Sequence, residues 1–168
     1  MIDELIAYII SKYGPIKGKK AFQKIFYFLT EMGIPTNLKY SLYHYGPYSS
    51  DLESKSKELD TLDIICIEKL SKMYIISQGN FTEEKANSKE LQTFTREIDS
   101  IINKLPLDSP LKLELYSTTH YVNSVIKSIY SEDSIDAVVE EVKNIKQDKF
   151  TESEIIEAYN YLNEIKFI

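Results

Sequence analysis

Between Lys19 and Met32 apolar residues fill too many helical positions for the segment to lie on a surface. Phe22, Phe26 and Leu29 share one side, and Ile25, Phe28 and Met32 lie beside them. A helix of this kind has to be enclosed, so the rest of the chain must be arranged around it. Its polar remainder is one line, Lys20, Lys24, Tyr27 and Glu31, with Gln23 at the edge. That line is the strip expected to meet solvent.

The flanking segments are readable from periodicity and from their start and stop residues. Ile2, Leu5, Ile6, Ile9 and Ile10 recur at helical spacing until Gly14-Pro15 ends the run. Leu38 to Tyr45 alternates like a strand, and Gly46-Pro47 breaks it. Ser50 with Glu53 reads as a capping box opening a short helix to about Leu59, with Leu52, Ser56 and Leu59 facing inward. Ile64 to Ile67 and Met73 to Ile76 then suggest a hairpin.

Beyond Gly79 helix follows helix. Leu91, Phe94, Ile98, Ile101 and Leu105 predict one. Ser109-Pro110 opens a second through Leu115, Val122 and Ile129, and Ser134 a third. Thr151 and Glu154 form a capping box for the last, with Phe150 and Ile155 placed as a hydrophobic staple. The polar stretch Gly79 to Asn87 is the expected seam, giving a mixed unit over residues 1–79 and an all-helical unit over residues 80–168 packed against it. The fold class expected is mainly α with a small β component.

Charge and composition restrict function. The chain has 168 residues and a formal charge of −6, and Arg96 is its single arginine. Residues 1–60 carry +1 and residues 61–168 carry −7. The net field therefore opposes indiscriminate nucleic-acid binding. Cys66 is the single cysteine, which excludes a disulfide framework or a Cys-rich zinc site. The opening apolar stretch carries Asp3 and Glu4 where an export signal needs positive charge, and no apolar run reaches the roughly 20 residues of a bilayer span. A cytoplasmic protein without membrane contact is expected.

The residues give little for catalysis. His44 and His120 are expected to be structural, with bonded rings in or near the core, and Cys66 to be a small buried hydrophobe. No triad, metal-ligand spacing or glycine-rich phosphate loop is present, so neither enzyme activity nor a cofactor is expected. Two features remain. From Leu5 to Thr30 there are five lysines, Lys12, Lys17, Lys19, Lys20 and Lys24, and no acid. This is either a solvated face or a contact for phosphate or an acidic partner. Tyr40, Tyr43, Tyr45 and Tyr48 lie within nine residues and suit either a two-sided strand or an interface.

The run Gly18-Lys19-Lys20-Ala21-Phe22-Gln23-Lys24-Ile25-Phe26-Tyr27, followed by Tyr43-His44-Tyr45-Gly46-Pro47-Tyr48-Ser49, resembles the YwgA-like proteins of bacteria and archaea. More remotely it is similar to the Panacea (SocA-like) antitoxin domain. Gln23, Lys24, Tyr27, Tyr45, Gly46 and Pro47 match the shared pattern, whereas Phe22 replaces a leucine. Weaker likeness extends to Leu113-Glu114-Leu115, His120-Tyr121 and the closing helix. The resemblance implies a winged-helix-like N-terminal domain followed by a helical bundle, and brings no catalytic residues. About 17 residues separate the second helix from the next, where a usual helix-turn-helix has three or four.

A non-enzymatic regulator is therefore expected. In the leading version Lys17, Lys19, Lys20 and Lys24, with Lys69 and Lys72 on the wing, contact DNA phosphates. In the alternative, Tyr43, Tyr45 and Tyr48 form an interface for a protein partner or a second copy, as in an antitoxin, adaptor or regulatory subunit.

Overall fold

A computed structural model describes residues 1–131 and 134–168. The chain is mainly helical with small antiparallel sheets. Helix α1 (Ile2–Tyr13) buries Leu5, Ile6, Ile9 and Ile10, the stripe its spacing predicts. A two-residue strand, β1 (Ile16–Lys17), leads to α2 (Lys19–Glu31). Every residue of α2 from Ala21 to Leu29 is buried, so this helix is the axle of the molecule. Burying Phe22, Phe26 and Phe28 removes each from water at a gain of roughly 1.5–3 kcal/mol.

The next elements are a short hairpin, β2 (Ser41–Tyr43) and β3 (Gly46–Tyr48), and then α3 (Ser50–Thr61). Strands β4 (Ile65–Leu70) and β5 (Met73–Gln78) form a second hairpin. β1 joins the free edge of β5, pairing Ile16 with Ile76 and Lys17 with Ile75, so the sheet order is β1-β5-β4. Short helices α4 (Thr82–Ala86), α5 (Lys89–Gln92) and α6 (Thr95–Ile102) follow. The long α7 (Pro110–Tyr130), α8 (Ile135–Lys146) and α9 (Glu152–Glu164) complete the chain.

One hydrophobic cluster joins α1, α2 and α3 to Leu91, Ile98 and Ile102, and also to Leu113 of α7 and Leu162 of α9. A second, smaller cluster lies among α7, α8 and α9. Helix α2 packs on α7, β3, β1 and α6. The expected staple pair, Phe150 and Ile155, is buried in the second cluster, and Thr151 and Glu154 make the reciprocal capping box.

Several expectations are corrected. The strand expected over Leu38 to Tyr45 is confined to Ser41–Tyr43, because the chain reverses at His44-Tyr45 and pairs with Gly46–Tyr48. The cap of α3 is Ser49, one residue before the expected Ser50, and Glu53 binds lysines instead of closing a capping box. The helix expected across Leu91 to Leu105 is broken into α5 and α6 at Thr93-Phe94. The polar stretch after Gly79 holds α4, whose Thr82 hydroxyl donates to the Ile64 carbonyl and accepts from the Gly79 N–H.

The polar line of α2 is also revised. Lys20 and Glu31 are exposed, but Lys24 and Tyr27 are buried. Helix α7 covers Tyr27, and the β2–β3 hairpin closes over Lys24. A polar residue faces solvent only where no other element competes for that face, and here two do.

Candidate functional site

The first two turns of α2 and the β2–β3 hairpin enclose a cavity of about 410 Å³, lined in part by Lys20, Gln23, Lys24, Tyr43, Tyr45 and Tyr48. Gln23 fixes the hairpin from α2. Its amide donates to the Ser49 carbonyl at 3.0 Å and its oxygen accepts from the Ser49 N–H at 2.9 Å. The bonds are reciprocal, so Ser49 is held where its hydroxyl can cap α3 at the Leu52 N–H. Gly46 makes the tight approach possible. Its φ of +95° is open to glycine, and a Cβ there would fall 2.8 Å from Thr118 Oγ1 and 3.4 Å from Lys24 Cε.

Lys24 is 2% exposed, and its Nζ donates to the Pro47 carbonyl at 2.5 Å. Burial lowers its pKa to about 7, and the charges of Lys146 and Lys20 push the same way while Glu114 opposes them. Beside it is an ionic knot from the C-terminal half. Glu114 of α7 accepts from Lys146 at 2.8 Å and from Lys149 at 2.7 Å. Burial raises the Glu114 pKa, but these two bonds outweigh it and hold the carboxylate below its ordinary range. Lys146 also donates to the His44 carbonyl at 3.0 Å, so α8 fastens the tip of the hairpin.

The outer rim interleaves lysines with tyrosine rings. Lys20 Nζ sits 3.0 Å from the centroid of Tyr45, and Lys149 approaches the same ring at 5.6 Å. Lys19 and Lys69 lie 4.6 and 5.8 Å from the centroid of Tyr74 on β5. Tyr43 packs against Tyr48 at 5.1 Å.

The structure divides the candidate residues. Lys17, Lys20, Lys69 and Lys72 are exposed, Lys19 is half-buried on Glu53 at 3.0 Å, and Lys24 is withdrawn from the surface. Lys12 is bound to Asp99 of α6 at 2.6 Å. The five-lysine run therefore makes no continuous basic face. Tyr43 and Tyr45 are exposed and Tyr48 is half-buried, whereas Tyr40 packs edge-on against Tyr27.

The histidines also divide. His120 is buried and bonded, as expected. The His44 ring is exposed, because it stands at the turn of the hairpin, edge-on to the Tyr45 ring at 4.8 Å, while its carbonyl is engaged by Lys146. Cys66 is half-buried in β4, with its thiol pKa raised by burial and by Glu68, which disfavours a reactive thiolate. Among the described residues, no group of His, Cys, Asp or Glu could hold a metal ion, and no helix is long and apolar enough to cross a membrane.

Sequence reasoning missed Glu114, Lys146, Lys149 and Thr118. One signal was available: Glu114 is the sole acid between Ser109 and Ser131, and it is set between Leu113 and Leu115. A lone carboxylate in an apolar helix needs a buried cation, but its sequence does not say which one.

Fold and site together define a mainly helical protein with small antiparallel sheets and a lysine- and tyrosine-walled cavity between a central helix and a hairpin. Such a chain is similar to the Bacillus subtilis (strain 168) protein named Uncharacterized protein YwgA. The two are 29% identical over 167 residues, covering 95% of this chain and 93% of that protein. No family model matches the chain.

Proposed function

We propose that this is a non-enzymatic regulatory protein whose N-terminal unit, residues 1–79, is winged-helix-like and contacts nucleic-acid backbone through the β4–β5 wing and the hairpin rim. The order α1, β1, α2, then α3, β4, β5 after the inserted β2–β3 hairpin, with β1 on the edge of β5, supports the first part. The observation that carries the second is the lysine–tyrosine series running from Lys69 through Tyr74 and Lys19 to Lys20 and Tyr45. Ammonium groups bind phosphates and tyrosine rings stack bases, and neither contact reads sequence.

Helix α3 is a poor groove reader. Asp51, Glu58 and Asp60 are exposed on it, and it has no arginine for a bidentate guanine contact. Binding should therefore be weak in sequence preference and steep in salt. Fluorescence anisotropy with single-stranded and duplex DNA should show affinity falling with salt. The Lys69→Gln, Lys72→Gln double variant should lower the slope of log affinity against log salt by about 1–2, since each lost phosphate contact removes roughly 0.7–0.9. No association at low salt would sink the reading.

A second reading, a protein-interaction module, is favoured by one observation. Between α7 and α8 a groove of about 360 Å³ carries Val125, Ile129 and Tyr130, which are 40%, 64% and 68% exposed, with Glu140 and Glu141 in its lining. Apolar surface beside acids suits an amphipathic segment bearing lysine or arginine. Parallel capture with the native chain and with Ile129→Asp tests it. A stoichiometric partner retained by the first and lost by the second supports the reading; equal capture by both overturns it.

A further inference from the structure

The cavity between α2 and the hairpin holds an imbalance that the nucleic-acid reading does not use. Three lysines, Lys19, Lys20 and Lys24, line it with a single carboxylate, Glu53, and Glu53 is already bonded to Lys19 and Lys57; behind Lys24, Glu114 is taken by Lys146 and Lys149. Lys24 has no acid of its own. Among the described residues its one hydrogen-bond acceptor is the Pro47 carbonyl, which leaves two N–H donors of a buried amine unanswered.

Burying an ammonium without a counter-charge costs several kcal/mol, and a hydrophobe of similar length would avoid that cost. Lys24 is therefore difficult to explain as packing alone. It is placed in the lining of a cavity of about 410 Å³, within the size range of small-molecule sites. Lys20 stands one helical turn away in the same lining, with its Nζ over the Tyr45 ring. Helix α2 opens here with glycine as its N-cap, without a side-chain cap and without an acid in its first turn. The near wall is the ring surface of Tyr43, Tyr45 and Tyr48.

We propose that this cavity binds a small organic phosphate, with the Lys20 and Lys24 ammonium groups holding the phosphate and the tyrosine wall packing against a flat ring of the ligand. A dianion suits the site better than a monoanion, because with Lys24 protonated the three lysines of the lining exceed Glu53 by two charges. A ring-bearing phosphate is presented both by a free mononucleotide and by the terminal nucleotide of a strand. The second source rests on the nucleic-acid reading; the first does not.

Binding should take up a proton. Empty, Lys24 is half-protonated near pH 7, since burial, Lys146 and Lys20 favour the neutral amine against Glu114. A bound phosphate favours the ammonium, so the pKa rises in the complex. Affinity then falls as pH rises above about 7, by up to tenfold per unit.

Titration calorimetry on the full chain tests this with adenosine 5′-monophosphate, adenosine, and oligonucleotides with and without a 5′-phosphate. The expected result is one site per chain for adenosine 5′-monophosphate, no heat from adenosine, and proton uptake at pH 8 when buffers of different ionisation enthalpy are compared. Lys24→Met should abolish the uptake and weaken binding at least tenfold. Lys20→Gln, an exposed change that leaves the core intact, should weaken binding several-fold and decides the matter if Lys24→Met does not fold.

Binding of the 5′-phosphorylated oligonucleotide without the mononucleotide supports the site with the strand as its source. Salt-sensitive binding of both oligonucleotides alike, with no response to the mononucleotide, overturns the site while sparing the nucleic-acid reading. Equal binding of adenosine and its phosphate, or unchanged binding in Lys20→Gln, overturns it as well.

Discussion

Glu114→Gln is expected to unfold about 10 °C below the parent chain, the loss that follows when about 3–5 kcal/mol is removed from a chain of this size. Glu114 is buried on α7, where its carboxylate accepts from the ammonium groups of Lys146 and Lys149. Lys149 is partly exposed and can turn to water. Lys146 cannot, because its side chain is buried and its remaining acceptor is the His44 carbonyl. The amide keeps the volume of the carboxylate but not its charge, so Lys146 must stay charged and unpaired or release its proton, and either costs stability.

The companion change, Lys146→Met in the Glu114→Gln background, should recover much of the loss, since a neutral residue at each position leaves no buried unpaired charge. Thermal unfolding of the three proteins measures this. A shift under about 3 °C for Glu114→Gln would mean that the knot is solvated and contributes little. The same series should loosen the hairpin, because Lys146 is the tie between α8 and its tip.

The second large effect is a loss of stability on mild acidification. His120 is buried between α2 and the C-terminus: Nδ1 lies 2.7 Å from the Tyr27 hydroxyl and Nε2 lies 3.0 Å from the Phe167 carbonyl. A carbonyl can only accept, so Nε2 carries the proton and Nδ1 accepts from Tyr27. The neutral ring satisfies both bonds. Burial lowers its pKa to about 4, against a smaller opposing pull from the Phe167 carbonyl.

The folded pKa thus lies below the unfolded value of 6.5. Between them the unfolded chain holds a proton that the folded chain does not, so stability falls as pH falls from about 6.5 to about 4. The total is about 3 kcal/mol, and about 2 kcal/mol of it is lost between pH 6.5 and pH 5. Lys24 acts in a separate window. Its depressed pKa reduces stability as pH falls from its ordinary 10.5 to about 7 and adds little below that.

The depressed carboxylates, Asp99, Glu4, Glu53 and Glu114 among them, lose their contribution as pH falls below about 5. Burial raises the Glu31 carboxyl towards this window, where its protonation works in the opposite sense, so urea unfolding at pH 6.5 and pH 5 isolates the histidine by comparison with a variant that lacks it. His120→Gln should remove the difference, and an unchanged difference in that variant would assign it elsewhere.

Much of the fold was legible because it is written in short-range patterns. The stripe of α1, the enclosure of α2, the caps at Ser109, Ser134 and Thr151 and the β4–β5 hairpin each depend on residues a few positions apart. The boundary at Ser49 was missed by one residue. Either serine could cap α3, and the choice was made by Gln23, 26 positions away, which grips the Ser49 backbone.

The site was legible only in outline. Its lysines and tyrosines were visible as a basic run and an aromatic cluster, and both proved to be mixtures. Lys12 is taken by Asp99, 87 positions away, and Lys19 by Glu53. Lys24 has the same spacing as the exposed Lys20, yet it is buried, because helical periodicity ranks faces by polarity and says nothing about what arrives to cover them.

The sequence by itself determined a mainly helical chain around an enclosed helix, a small β component, a weak stock of catalytic groups and a charge too negative for indiscriminate binding. Those conclusions follow from composition and local spacing, which act before any distant contact forms. The tertiary structure decided which charges meet. Lys146 reaches Glu114 across 32 positions and the His44 carbonyl across 102. Pairing at that range is settled only when the helices dock, because desolvation makes a buried charge seek whatever partner the packing brings within reach.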